Sequence, residues 1–503
     1  MQDARSGSLT PKDVIHDVLI IGGGINGCGI AMDAAGRGLS VLLCEQDDLA
    51  SATSSRSSKL IHGGLRYLEH FEFRLVGKAL AEREVLLRNA PHIIRPMRFR
   101  LPHQPHLRPA WMIRAGLFLY DHLARRKTLP GSHGIRPPAD SPLRPQITRG
   151  FEYSDAWVDD ARLVVLVARA AAEHGAQILT RSACIHAERS NGLWQVTLED
   201  RRSGQRSQHL CRSLVNAAGP WVSSLLEQVI HSPMRQPLRL VQGSHIVVPR
   251  LHPGEHAYIL QNEDNRIVFV IPFEDDFSLI GTTDVDYRGD PAAVQISAEE
   301  TDYLLRVVNQ HFRQQLQKTD VVWSFAGVRA LADDADGQAQ SASRDYSLDI
   351  DASAGQAPLL SVLGGKITTY RRLAEEATDQ LCELLQRPGQ AWTADSPLPG
   401  GDFADQPTLL ADLHKLYPWL PGSTLQRFAR SYGTLTHELL CGCLGMEDMG
   451  QHFGADLYAR EVRYLMQQEW AVTAEDVLWR RSKLGLRLRA EAVAAVGEFM
   501  ERG

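Results

Sequence analysis

The chain has 503 residues, of which 44% are hydrophobic and 23% charged, and its net charge is −6. These proportions exclude a disordered or collagen-like chain and argue against a protein that binds nucleic acid through its overall charge. The length predicts about three domains or subdomains with a large buried core. Residues 1–13 are polar and no apolar stretch of about 18 residues follows, so the sequence predicts neither a signal peptide nor a transmembrane helix. The seven cysteines form no C-x-x-C motif, which predicts reduced thiols in a cytoplasmic protein.

A βαβ unit is predicted at the start of the chain. Residues 17–21 (DVLII) form an apolar run that predicts a buried strand, and residues 26–37 show helical periodicity. A second apolar run at residues 39–45 predicts a second strand, and two strands joined by a helix are expected to be parallel. Strand patterns at residues 193–199 and 214–218 predict that the chain later returns to this sheet.

The middle of the chain predicts an antiparallel sheet, and its end predicts helices. Strand-like runs separated by turn-prone residues occupy residues 244–249, 257–261, 266–273 and 277–284. Ser297 and Glu300 form a capping-box pattern that predicts the start of a helix. Beyond residue 407 the pattern is mostly helical, with a second capping box at Thr473 and Asp476, which predicts a C-terminal helical domain.

A glycine motif lies between the first predicted strand and helix. Gly22, Gly24 and Gly27 form G-x-G-x-x-G, and glycines at this place let backbone N–H groups approach a pyrophosphate at the positive end of the helix. Glu45, at the end of the second strand, is placed to accept hydrogen bonds from a ribose and disfavours a ribose that carries a 2′-phosphate. The sequence therefore predicts a dinucleotide site. The alternative is a glycine turn that serves only close packing.

Three further segments favour a flavin over a nicotinamide cofactor. Residues 54–69 form a polar loop rich in serine, glycine and cations, residues 214–222 run from a strand into a turn of small residues, and residues 363–371 join a strand, two glycines and a helix start. A cation at that helix start would favour the negative charge of a reduced flavin. The candidate cofactor-binding residues in these segments are Ser54, Ser58, His62, Gly63, Gly64, Ala218, Gly219, Gly364, Gly365, Lys366 and Thr368.

These segments are similar to the FAD-dependent glycerol-3-phosphate dehydrogenase family of respiratory enzymes. The resemblance extends from about residue 17 into the C-terminal helices and includes the stretches HGGLRYLEHFEFRLVGKALAEREVLL and QNEDNRIVFVIP. It implies FAD as cofactor, sn-glycerol 3-phosphate as substrate and a membrane quinone as electron acceptor. It also implies an α/β plus α+β fold, with a Rossmann-like FAD-binding domain of the glutathione-reductase or D-amino-acid-oxidase type, an antiparallel-sheet substrate domain and a C-terminal helical domain.

The predicted domains are discontinuous in sequence. The FAD-binding domain is assembled from residues 16–90, 155–235 and 325–390. Residues 91–154 form a connecting or substrate segment that contains the candidate membrane contact. Residues 236–324 form the substrate domain, and residues 391–503 form the helical domain.

Oxidation of a phosphorylated alcohol needs cations for the phosphate and a base for the hydroxyl proton. Arg329 is the strongest phosphate candidate, because it lies in a mostly apolar run where an unpaired cation would be costly. The further candidates for substrate binding are Arg66, Tyr67, Arg344 and Lys366. His245 is the first candidate for the base, because imidazole titrates near neutral pH; a purely structural histidine is the alternative, and His62 is the second candidate. Catalytic roles are thus predicted for His245, Arg329 and Lys366.

Two other functions fit parts of the pattern. An oxidase of the same architecture would pass electrons from glycerol 3-phosphate or an amine to oxygen, and a non-catalytic flavoprotein would act as a membrane-associated redox sensor. The cationic residues favour a phosphate-bearing substrate over an amino acid. No metal site is predicted, because His103 and His106 lack a carboxylate or cysteine partner at ligand spacing.

A basic stretch of the sequence is a candidate for contact with a membrane. Residues 95–127 carry eight lysines or arginines and one acid, with aromatic and aliphatic residues between Trp111 and Tyr120. Peripheral binding to an anionic bilayer and a core helix with a solvated basic face fit this pattern equally well. The family resemblance favours the membrane, at the cytoplasmic face of a bacterial inner membrane. A second basic cluster, at residues 480–489, is expected to touch headgroups or a partner in a homodimer.

Overall fold

The computed structural model describes residues 14–104, 107–264, 266–332, 345–353 and 355–502. Its strands are β1 (Ile15–Ile21), β2 (Val41–Cys44), β3 (Leu60–Ile61), β4 (Ile94–Pro102), β5 (His133–Ile135), β6 (Gly150–Val158), β7 (Gln177–Leu179), β8 (Ser182–Ser190), β9 (Leu193–Asp200), β10 (Arg206–Asn216), β11 (Leu238–Pro249), β12 (Ala257–Gln261), β13 (Ile267–Phe273), β14 (Phe277–Gly281), β15 (Val285–Asp286), β16 (Trp323–Ala332), β17 (Tyr346–Asp351), β18 (Leu359–Gly364), β19 (His452–Gly454) and β20 (Leu457–Tyr458). Its α-helices are α1 (Ile25–Gly36), α2 (Phe73–Asn89), α3 (Ala110–His122), α4 (Asp160–Glu173), α5 (Val222–Leu225), α6 (Ala298–His311), α7 (Tyr370–Leu384), α8 (Gln406–Leu416), α9 (Gly422–Ser431), α10 (Thr436–Leu439), α11 (Ala459–Gln468) and α12 (Ala490–Arg502).

The first sheet contains the predicted βαβ unit, with β1 and β2 parallel. Its strand order is β17-β18-β10-β1-β2-β7, and β9 and β8 extend it beside β10. Val18 and Ile20 of β1 pack in the core under α1, α4 and α7, whereas Leu19 and Ile21 pack in the core against β8 and β9. Because both faces of β1 are covered, its sequence is apolar at every position after Asp17 rather than alternating.

The second sheet is the predicted antiparallel sheet. Its strand order is β15-β11-β14-β13-β12-β4-β6-β3, with β16 paired to β11 and β5 paired to β6. All its pairings are antiparallel except that of β12 with β4. The sheet takes in β3 to β6 and β16 as well as the predicted strands, so the predicted segment limits at residues 154 and 324 lie inside β6 and β16. Helix α6 packs on this sheet and begins with the predicted capping box of Ser297 and Glu300.

The C-terminal region is the predicted helical domain, formed by α8 to α12 and the hairpin of β19 and β20. It has an apolar core of its own. The second predicted capping box is also present, because the N–H of Asp476 donates to Thr473 Oγ1 at 3.3 Å and the N–H of Thr473 donates to the Asp476 carboxylate at 2.9 Å.

Part of the basic cluster at residues 480–489 is buried, which corrects the expectation that it touches headgroups or a partner subunit. The guanidinium groups of Arg480 and Arg481 both bind the carboxylate of Asp48, and Lys483 binds Asp159 at 2.9 Å. Positive charge alone does not reveal such pairing, because the acids come from distant parts of the chain. The pairs with Asp48 attach the helical domain to the loop between β2 and β3, residues 45–59, which is called the linking loop below. The pair with Asp159 attaches it to the residue before α4.

Removal of the shared carboxylate should destabilise this attachment. Asp48→Ala leaves Arg481 buried without its carboxylate, and breaking a buried ion pair in this way costs about 3–5 kcal/mol of unfolding free energy. The control is Glu498→Ala, which removes the exposed partner of Arg502 and should cost under about 1 kcal/mol. Urea denaturation followed by tryptophan fluorescence measures both. Equal denaturation midpoints for the two variants would contradict the role of Asp48.

Candidate active site

A cavity of about 460 Å³ lies between the two sheets, within the size range of small-molecule sites. The lining includes the glycine turn after β1, the linking loop and the residues that follow it, the turn after β10, the second sheet at β11 and β16, and the turn after β18. The predicted site residues that line it are Gly22, Gly24, Glu45, Ser54, Ser58, His62, Tyr67, Ala218, Gly219, His245, Arg329, Gly364, Gly365, Lys366 and Thr368.

The glycine turn joins β1 to α1 where side chains would not fit. Gly22 has a φ of +116°, and a Cβ on it would lie 2.6 Å from the carbonyl oxygen of Ala217. A Cβ on Gly27 would collide with the carbonyl of Gly22, so Gly27 packs inside the turn instead of lining the cavity. The first N–H of α1, from Ile25, donates to Ser54 Oγ at 3.0 Å. The turn therefore brings the positive end of α1 to the cavity wall.

Glu45 begins the linking loop and lies beside the glycine turn. Its carboxylate accepts hydrogen bonds from the N–H groups of Gly23 at 2.7 Å and Asp47 at 2.9 Å. Burial raises the pKa of Glu45 to about 7, against the opposing effect of these two hydrogen bonds. The side chain is thus held in place as an acceptor at the end of β2, where a ribose is expected.

His245 lies in the middle of β11, not at the start of a strand as the sequence pattern suggested. Its Nε2 is 2.9 Å from Ser58 Oγ, and its ring stacks on Phe325 with centroids 4.8 Å apart. Burial, together with the charges of Lys59 and Arg329, lowers the pKa of His245 to about 3. The imidazole is therefore neutral at physiological pH, and within the described residues its buried Nδ1 has no hydrogen-bond partner.

Two of the predicted cations line the same cavity. Arg329, on β16, pairs with Asp284, which follows β14. A Cβ on Gly243 would lie 3.1 Å from Arg329 Nη2, which places the guanidinium against β11 close to His245. Lys366, in the turn after β18, holds its ammonium group 3.9 Å from the centre of the Tyr67 ring. The cavity thus combines a neutral imidazole with positive charge.

The remaining predicted site residues either do not line the cavity or lie outside the residues that the structure describes. The N–H of Gly63 donates to Tyr120 Oη at 2.9 Å, and a Cβ on Gly64 would collide with the ring of Tyr67, so both glycines pack beside the cavity. Arg344 and His106 lie outside the described residues, and so does the side chain of Arg66. The predicted roles of these residues stay predictions.

The structure adds residues that the sequence analysis missed. Asn26, Arg56, Gly243 and Thr282 line the cavity, and Asp284 binds Arg329. Asn26 lies within the glycine motif of residues 22–27, and Arg56 lies within the polar loop of residues 54–69. The sequence could therefore have indicated both residues. Gly243, Thr282 and Asp284 carried no such signal, because they meet the site only through the pairing of β11 with β14 and β16.

The cavity fits a dinucleotide cofactor. It has backbone N–H groups at a helix start, an acceptor at Glu45, and a buried Oδ1 on Asn26 that makes no hydrogen bond within the described residues. A protein-family model described as "FAD dependent oxidoreductase" matches residues 17–371, and one described as "C-terminal domain of alpha-glycerophosphate oxidase" matches residues 391–502. The solved structure of glycerol-3-phosphate dehydrogenase from Bacillus halodurans, complexed with FAD, is similar with a TM-score of 0.75 and 28% identity, over 97% of this chain and 94% of that one. The cofactor is FAD.

Glu45 should make FAD binding depend on pH. Its pKa of about 7 means that the carboxylate ionises as the pH rises through neutrality, and an ionised acceptor binds ribose hydroxyls more strongly. The same raised pKa lowers the stability of the apoprotein as the pH rises from about 4.5 to about 7, because the folded state holds the proton more tightly than the unfolded chain. We expect FAD to bind the apoprotein more tightly at pH 8 than at pH 6.

Glu45→Gln should weaken FAD binding at pH 8 by about tenfold to a hundredfold and remove the pH dependence. Glu498→Gln, which removes an exposed charge of the helical domain, should leave both nearly unchanged. Titration of the apoprotein with FAD, followed by flavin fluorescence, measures these effects. Wild-type affinity in Glu45→Gln at pH 8 would show that the carboxylate does not bind the cofactor.

Curated relatives match nearly the whole chain. The glycerol-3-phosphate dehydrogenase of Pseudomonas aeruginosa is 58% identical over 98% of this chain and 96% of its own length. The aerobic glycerol-3-phosphate dehydrogenase of Escherichia coli is 56% identical over 96% of this chain and 97% of its own length. Together with the FAD cavity and the two-sheet fold, these similarities show that the chain belongs to the FAD-dependent glycerol-3-phosphate dehydrogenase family.

Proposed function

We propose that the protein oxidises sn-glycerol 3-phosphate to dihydroxyacetone phosphate and passes the electrons through FAD to a membrane quinone. The observation that carries the proposal is the joining, in one cavity, of the cofactor-binding turn with Arg329, Lys366 and a neutral His245. Such a set suits an alcohol that bears a phosphate. The activity named for the relatives from P. aeruginosa and E. coli supports the same substrate.

Arg329 is the proposed anchor of the substrate phosphate. A guanidinium group binds two phosphate oxygens at once, and the pairing with Asp284 fixes the plane of that group. Arg66 and Arg344 are proposed to add positive charge around the phosphate. Lys366, beside the start of α7, places a positive charge at the cofactor end of the cavity, which favours negative charge on the reduced flavin.

His245 is the proposed base for the hydroxyl on C2. The neutral imidazole carries a lone pair on one ring nitrogen that can accept the hydroxyl proton, and its Nε2 lies 2.9 Å from Ser58 Oγ. FAD bound in the cavity would supply the acceptor for the hydride that leaves C2. Ser58 and the stacked ring of Phe325 hold the imidazole in one orientation, so little reorganisation is needed when substrate binds.

Anaerobic reduction of the flavin tests this activity. Addition of sn-glycerol 3-phosphate to the FAD-loaded protein should bleach the flavin absorbance, with one substrate consumed per FAD, because the reaction transfers two electrons. Electrons should then pass to a soluble quinone analogue without peroxide formation. FAD-loaded protein that stays oxidised would refute the dehydrogenase activity, and stoichiometric peroxide without quinone would favour the oxidase.

Arg329→Ala provides the control for the substrate site. Loss of a charge-assisted bond to phosphate should raise the substrate concentration needed for half-maximal bleaching by about tenfold to a hundredfold while FAD stays bound. Loss of FAD instead would mean that Arg329 belongs to the cofactor site.

Peripheral contact with the membrane is proposed for the face formed by α3 and the turn before α2, which is called the apolar face. Trp111 and Phe118 of α3 are 70% and 57% exposed, and Phe71 in the turn is 78% exposed. Arg108 binds Glu69 at 3.4 Å and so links the two parts. Aromatic side chains beside basic residues suit the interface of an anionic bilayer at the cytoplasmic face of the inner membrane. Among the described helices, none is both long and apolar enough to cross a bilayer.

The apolar face is connected directly to the cavity. Tyr120, on the buried side of α3, donates its hydroxyl to Asp155 and accepts the N–H of Gly63, the neighbour of His62 in the cavity wall. A lipid-dissolved quinone at this face would thus lie one helix away from the segment that carries His62. This contact between α3 and the cavity wall supports a quinone site at the apolar face.

The double variant Trp111→Ser/Phe118→Ser should lose binding to vesicles that contain phosphatidylglycerol. Removal of two exposed aromatic rings should lower the partition coefficient by on the order of tenfold or more, since their burial in the interface contributes to binding. Vesicle flotation measures the bound fraction. Leu444→Ser, at a position that is 86% exposed on the helical domain, is the control and should bind as the wild type does. Unchanged flotation of the double variant would exclude the apolar face as the contact.

A further inference from the structure

The capping box of α6 contains a glutamate, Glu300, whose side chain is buried. A capping-box glutamate normally lies at the surface and serves its own helix. Glu300 accepts the N–H of Ser297 at 2.9 Å in the expected way, but its side chain is buried, with only 8% of the residue exposed. Because a buried carboxylate must be satisfied by hydrogen bonds, its other partners show what it holds.

Those other partners all belong to the second sheet. Glu300 accepts hydrogen bonds from Gln242 Nε2 at 2.7 Å, from Ser244 Oγ at 2.8 Å and from Thr283 Oγ1 at 2.6 Å. Thr283 Oγ1 in turn accepts the N–H of Ser244 at 2.9 Å. One carboxylate thus ties two positions of β11 to the segment between β14 and β15.

This network lies directly behind the substrate end of the cavity. Gln242 and Ser244 flank Gly243, and a Cβ on Gly243 would lie 2.6 Å from Thr282 Oγ1 and 3.1 Å from Arg329 Nη2. Gly243, Thr282 and Arg329 line the cavity. Thr283 is followed by Asp284, which binds Arg329. The hydrogen bonds of Glu300 therefore fix the backbone from which Asp284 reaches the guanidinium group.

We propose that Glu300 is a positioning residue that, through Thr283, sets the place of the Asp284–Arg329 pair for the substrate phosphate. It acts from the far side of β11 and makes no proposed contact with substrate or FAD. This inference rests on the proposed binding of glycerol 3-phosphate by Arg329. Because Arg329, held by Asp284, binds the phosphate rather than the reacting C2 group, loss of the network should affect KM more than kcat.

Thr283→Val tests the link with little change of volume. The variant removes the hydroxyl that joins Glu300 to the segment that carries Asp284, and we expect KM for glycerol 3-phosphate to rise about tenfold while kcat changes less than about threefold. Glu300→Ala should raise KM in the same way. Thr283→Ser, which keeps the hydroxyl, should return KM to near the wild-type value.

Ser297→Ala is the matched control. It removes the hydroxyl that caps the N–H of Glu300 at 3.1 Å and so weakens the start of α6, but it leaves the bonds from Glu300 to the sheet. It should lower the melting temperature and leave KM unchanged. An unchanged KM in Thr283→Val overturns the inference, and so does an equal rise in Ser297→Ala, which would trace the effect to helix stability. Reduction of the wild-type flavin by glycerol 3-phosphate reports the proposed function by itself, so either result would leave that function standing.

Discussion

The site depends on one constraint, the fixed path of the linking loop between the two sheets. Glu45, at its start, lies beside the glycine turn, and Ser54 binds the first N–H of α1. Ser58, near its end, binds His245 of the second sheet, and Lys59 binds Asp160 at 2.7 Å. The same short segment thus touches the cofactor end and the base. If the loop followed another path, the distance between the cofactor-binding turn and His245 would change.

Ion pairs and hydrogen bonds hold most of this loop, and Leu49 and Ala50 add apolar contacts to the core. Its sequence, EQDDLASATSSRSSK, offers few side chains for a hydrophobic core. Asp48 is bound by Arg480 and Arg481 of the helical domain, and Lys59 is bound by Asp160 at the start of α4. A buried charge is strongly destabilising once its partner is lost, so these pairs allow few alternative loop positions. The helical domain therefore acts as a support for the loop that shapes the FAD site.

Short-range sequence patterns predicted most of the fold. They predicted only some of the residues at the substrate end of the cavity. The glycine motif, the apolar run of β1 and both capping boxes are short-range signals, and each appears where it was predicted. The cofactor FAD and the family were predicted as well. Asp284 beside Arg329, and Glu300 behind β11, could not be found in this way, because strand pairing and helix packing bring them together across tens of residues. The cluster at residues 480–483 was assigned wrongly to the surface for the same reason: its acidic partners are distant in sequence.

A crystal structure of the FAD-loaded protein with sn-glycerol 3-phosphate bound tests the central claim most directly. The account predicts that the phosphate contacts the guanidinium group of Arg329 and that the C2 hydroxyl lies within hydrogen-bond distance of the His245 imidazole. It also predicts the FAD ribose at Glu45, with the linking loop along the path described above. A phosphate bound away from Arg329, or a ribose away from Glu45, would contradict the account.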